Sequence, residues 1–100
     1  MSKRIYEIVL QVPLGERPGR LCLETAGESC RGTLEVMRFC NAVEGTLDAE
    51  GRCRLTGKLR TLLHERPFEA EGRLDEDAAQ LTLRCGRLSG RARGRRAGDE

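Results

Sequence analysis

One hundred residues, 34% of them charged and 38% hydrophobic, bound the chain to one folded domain and exclude a disordered one. With only 3% aromatic residues (Tyr6, Phe39 and Phe68), the core must be built from leucine and valine, and base stacking has no aromatic platform. The net charge of +2 selects no partner, and no apolar run is long enough for a transmembrane span.

The basic start, Met1-Ser2-Lys3-Arg4, leads into a stretch interrupted by Glu7 and Gln11, which reads as a strand and not as a signal peptide. In that first strand Tyr6, Ile8, Leu10 and Val12 alternate with Glu7, Val9 and Gln11. Pro13 to Gly19 reads as a turn. Leu21 and Leu23 mark a second strand, ended by Ala26-Gly27-Glu28-Ser29, and Cys30 to Phe39 a third. Ala42 to Leu47 is a fourth, followed by the hairpin signal Asp48-Ala49-Glu50-Gly51. The fifth runs from Cys53 to Leu63, and His64 to Pro67 turns the chain. Phe68 to Leu74 is a sixth, Asp75 to Ala79 a turn, Leu81 to Cys85 a seventh and Leu88 to Arg93 an eighth. Turn signals at this spacing belong to a β-sandwich or a barrel.

Two regularities favour the barrel. Gly32, Gly45, Gly57, Gly72 and Gly90 share the face of the small or apolar residues two before and two after them. Glycine on an inward strand position marks a sharp bend or a close backbone approach, which barrel closure requires. A shift of 49 residues also carries Leu14-Gly15-Glu16-Arg17-Pro18 onto Leu63-His64-Glu65-Arg66-Pro67 and keeps the faces in phase beyond, Leu21 with Ala70 and Leu34 with Leu83. The chain reads as two related halves of four strands each. The expected fold is all-β: an eight-stranded antiparallel up-and-down meander barrel over residues 1–93 with a C-terminal tail over 94–100, the alternative being a two-sheet sandwich.

Expected interior side chains are Tyr6, Ile8, Leu10, Leu34, Leu55, Leu59, Phe68 and Leu83, which double as candidates for lining a ligand cavity. Ile5 and Val9 fall on the outer face of the first strand and are candidates for a homodimer seam or a docking partner. Of five cysteines, Cys30, Cys53 and Cys85 point inward as small hydrophobes and Cys22 outward. Their odd count and spacing give neither a disulfide framework nor a zinc signature, so a reducing, cytoplasmic setting is expected. His64 is the only histidine, and with a neighbouring acid or thiol it is the one candidate for catalysis. The trio Asp75-Glu76-Asp77 lacks the calcium-loop pattern and reads as a solvated hairpin tip. Arg87, Arg91, Arg93, Arg95 and Arg96 form a basic end able to neutralise phosphates.

The alternation, the glycine-bearing strands and the Glu-Arg-Pro turns together resemble the small calycin-like barrels, the architecture of lipocalins and fatty-acid-binding proteins, and short bacterial proteins of about this length. The lipocalin glycine-x-tryptophan signature is absent, since the chain has no tryptophan. The resemblance implies binding of a small apolar ligand by analogy of fold alone. The expected role is a non-enzymatic module that binds a small apolar molecule or a protein, with no cofactor, metal or membrane. An enzyme built on His64 and a nucleic-acid binder built on the arginine-rich end are the alternatives.

Overall fold

The computed structural model describes residues 2–12, 15–36, 39–60, 65–86 and 88–98. Alternation with period two dominates the chain, and the chain folds accordingly into eight strands: β1 (Ser2–Val12), β2 (Gly15–Ala26), β3 (Ser29–Val36), β4 (Phe39–Leu47), β5 (Arg52–Arg60), β6 (Glu65–Leu74), β7 (Ala78–Cys85) and β8 (Leu88–Gly98). Each pairs antiparallel with the next, and β8 returns to β1, so the sheet closes into a barrel in simple up-and-down order. Closure decides against the two-sheet sandwich. It also leaves β1 without a free edge, because its backbone groups are engaged by β2 on one side and β8 on the other.

The registers set the shape. A walk along paired residues from Ser2 passes Thr25, Cys30, Gly45, Leu55, Ala70, Leu83 and Gly90. The next step of the β8–β1 ladder falls opposite Val12, so one circuit climbs β1 from Ser2 to Val12. A stagger of this size tilts the strands steeply against the barrel axis. The molecule measures 35 × 21 × 21 Å, which leaves little width inside the wall.

Three stretches read from sequence as turns or tail are strand. Glu16-Arg17-Pro18 opens β2 and Glu65-Arg66-Pro67 opens β6. Proline reads as a turn former, but Pro67 sits beyond the β6–β7 ladder, which begins at Glu69–Arg84, and a missing N–H there costs the unreached ladder nothing. Pro18 pairs with Val9 of β1 and precedes Gly19–Val36, the first described pair of the β2–β3 ladder. The two Glu-Arg-Pro segments thus occupy equivalent places, half a turn apart at the same end of the barrel. Gly94 to Gly98, taken as tail, extends β8, with Arg95 opposite Glu7 and Arg96 opposite Tyr6. The hairpin over Asp48 to Gly51 forms as its residues dictate: Gly51 takes φ +90°, and Asp48 Oδ1 accepts from the N–H groups of Glu50 (2.9 Å) and Arg52 (3.0 Å). Those backbone donors, that of Arg52 first, hold the Asp48 carboxyl below its ordinary range.

Candidate functional site

The lumen comes first, because it is where a calycin-like reading puts a ligand. Tyr6, Ile8, Leu10, Leu34, Leu55, Phe68 and Leu83 are all buried inside the barrel, packed with Leu21, Leu23, Val36, Val43 and Leu74. Leu59 joins the β5–β6 ladder opposite Arg66, but its side chain lies outside the described residues. Between these side chains the inward glycines admit backbone. A Cβ on Gly32 would overlap the carbonyl oxygen of Cys22, and one on Gly45 that of Arg54. Gly57 and Gly72 are approached in the same way by Ala42 and Gln80, and so are two glycines the sequence reading passed over, Gly19 by Glu35 and Gly94 by Glu7. Neighbouring strands therefore close in to occupy the volume that side chains would fill elsewhere.

One end of the lumen is capped by polar groups. Tyr6 Oη donates to the carbonyl of Asp75 at 2.7 Å and accepts from Arg4 Nη1 at 3.3 Å. The Arg96 N–H donates to Asp77 O at 2.8 Å, and its guanidinium to Glu76 O at 3.4 Å. The tip Asp75-Glu76-Asp77 is thus bound by its backbone across this end. Arg4 and Arg96 share the face of Leu23 and Tyr6, and Asn41 is buried inward with Nδ2 donating to Leu34 O at 3.1 Å. The sequence reading missed all three. The signal was present in the phase, since counting back by twos from Ile8 reaches Arg4 and from Val43 reaches Asn41.

The thiols divide as the alternation dictates. Cys30 and Cys53 are buried inward as neighbours. Burial pushes Cys30 upward and Cys53 further, to about 12, with the neighbouring Cys30 adding to the rise. Cys22 is half-buried and Cys40 exposed on the outer wall. His64 lies outside the described residues. Among the described residues no three His, Cys, Asp or Glu side chains gather to hold a metal ion.

The outer wall carries the remaining chemistry. Over much of it, charges of opposite sign pair across neighbouring strands: Arg20 Nη2 meets Glu7 Oε1 at 3.2 Å, Arg54 Nη2 meets Glu71 Oε1 at 3.4 Å, and Lys58 Nζ meets Glu65 Oε1 diagonally at 3.8 Å. Exposed pairs of this kind contribute little to stability, about 0.2–1 kcal/mol each. β8 departs from the pattern. Arg91, Arg93 and Arg95 are exposed and follow one another at two-residue intervals along its outer face. Arg91 lies between Thr82 and Gln11, and Arg93 between Gln80 and Val9. Arg95 lies between Ala78 and Glu7, whose carboxylate is engaged by Arg20. Among the described residues none of the three arginines has an ion-pair partner. Arg84, on the outer face of β7 between Ser89 and the acid Glu69, adds a fourth cation beside the row.

The two outward apolar residues of β1 differ. Val9 is 39% exposed beside Pro18, whereas Ile5 is half-buried in a row with Cys22 and Thr33. With both edges of β1 paired, any association there has to use these side chains and not the backbone.

No family model, no curated protein and no solved structure matches the chain. The chain forms a closed eight-stranded meander barrel, and nothing in these comparisons links it to the calycins.

Proposed function

We infer that the chain is a non-enzymatic binding module that works from the outer wall of its barrel and not from the lumen. The observation that supports this reading is the filled interior: side chains and close-packed backbone occupy the place where a small-ligand barrel keeps its cavity. Of the two ligand classes the sequence allows, a small apolar molecule in the lumen loses ground to a macromolecule on the surface. The buried thiols fit a reducing, cytoplasmic setting, where unpaired cysteines persist.

Native mass spectrometry of the protein purified without denaturant, followed by titration with a long-chain fatty acid and an environment-sensitive apolar dye, tests the reading. The expected result is the mass of the polypeptide alone and no saturable binding of either probe. A co-purified small molecule, or saturation at one equivalent, overturns it.

A further inference from the structure

The outward positions of β4 and β8 correspond one to one under the 49-residue shift: Cys40 with Ser89, Ala42 with Arg91, Glu44 with Arg93 and Thr46 with Arg95. Facing inward, Val43 corresponds to Ala92 and Gly45 to Gly94, while Asn41 and Leu47 give way to Gly90 and Arg96. On the flanking strand the acid Glu35 of β3 gives way to Arg84 of β7. β4 makes its ladders to β3 and β5 with alanine, glutamate and threonine at these positions, so the barrel itself does not require arginine there. The arginines of β8 answer to something outside the fold.

Their arrangement specifies the chemistry of that partner. Successive outward positions on a strand are about 7 Å apart, about two charge spacings of one strand of a stacked nucleic acid, which carries one phosphate per ~3.4 Å of its axis. A guanidinium fork matches phosphate oxygens in a bidentate pair. Around the row, Gln11, Gln80, Thr82 and Ser89 offer amide and hydroxyl groups, the neutral side chains that accompany arginine in phosphate contacts. No aromatic side chain stands on this face to stack a base, so it is suited to the backbone and not to sequence. A lipid surface would call for apolar side chains to insert beside the cations, and here Val9 is the one exposed large hydrophobic residue among those described. A flexible single strand can follow the convex wall.

We propose that the outer face of β8, through Arg91, Arg93 and Arg95 with Arg84 beside them, binds the phosphate backbone of single-stranded nucleic acid without reading its sequence. The proposal rests on the outer-wall reading above and names its partner.

Fluorescence anisotropy with labelled DNA and RNA oligonucleotides of unrelated sequence, on the full chain at several salt concentrations, tests it. Three to four neutralised phosphates give a slope of log affinity against log salt of about −2 to −3 on single strands, so affinity falls roughly 20- to 50-fold between 50 and 200 mM salt. The triple variant Arg91→Ala, Arg93→Glu, Arg95→Thr writes the outer face of β4 onto β8. It is expected to keep the circular dichroism and melting temperature of the parent and to weaken binding by at least about tenfold. A second variant, Arg31→Ala with Arg54→Ala and Lys58→Ala, removes three cations from the other side and is expected to change affinity by less than about threefold. No oligonucleotide binding, binding indifferent to salt, or equal losses in the two variants overturns the proposal. Binding to phosphatidylserine vesicles without binding to oligonucleotides also overturns it, in favour of a membrane. All of these leave the outer-wall reading intact, which only a lumen-bound ligand removes.

Discussion

β4 and β8 lie half a turn apart around the barrel, and each carries a glycine at which a neighbouring carbonyl oxygen takes the place of a side chain, Arg54 O beside Gly45 and Glu7 O beside Gly94. On the other side of the same backbones the likeness stops: Ala42, Glu44 and Thr46 face water on β4, and Arg91, Arg93 and Arg95 on β8. The difference separates two kinds of constraint. Inward positions are held by packing, where a single methyl meets backbone and has nowhere to go. Outward positions are free to vary at little cost, so a coherent row of one charge there is not demanded by folding. The capped end differs between the halves as well. Tyr6 and Arg4 in the first half correspond to Leu55 and Cys53 in the second, and of these Tyr6, with Arg4 on its hydroxyl, reaches across to hold the Asp75 tip.

The largest effect expected is at the paired glycines. Gly45→Ala and Gly94→Ala should each lose more than about 3 kcal/mol in urea unfolding, beyond ordinary overpacking, because backbone and not a movable side chain stands in the way. A Gly94→Ala barrel as stable as the parent would break the equivalence of the halves. Next comes alkaline pH, which acts on the thiol pair that spans the two halves, Cys30 on β3 and Cys53 on β5. The Cys53 thiol, pushed up from 9.0 to about 12, favours the protonated folded state, so its contribution is complete below about pH 9 and lost as pH rises towards 12. Urea midpoints measured across that window should fall, and Cys53→Ala should flatten the decline. In the same vein, a thiol reagent at neutral pH should modify exposed Cys40 first and reach Cys30 and Cys53 only on unfolding. Smaller again is Tyr6→Phe, which removes the 2.7 Å bond to Asp75 O and should cost about 1 kcal/mol. An unchanged melting temperature would show that the cap does not depend on that hydroxyl. The smallest change is expected from writing the β4 outer face onto β8, within about 0.5 kcal/mol of the parent. A larger loss would mean that the arginines serve the fold after all.

The sequence by itself determined the inside-outside order of nearly every strand, because alternation with period two is local and burial enforces it along each strand. It marked Gly32, Gly45, Gly57 and Gly72 as inward from their phase alone, and it placed the Asp48–Gly51 hairpin, whose turn chemistry is complete within four residues. What it could not give was the length of each strand, since a strand continues wherever a neighbour offers a ladder. That is why Glu16-Arg17-Pro18, Glu65-Arg66-Pro67 and Gly94–Gly98 are paired strand and not turn or tail. Only the closed barrel, by bringing β8 against β1, decided that β1 has no edge, that Arg96 turns inward beside Tyr6, and that Arg91 and Arg93 stand among neutral neighbours. The β1–β8 contacts join residues eighty or more positions apart in the chain, and no local pattern encodes which of them will meet.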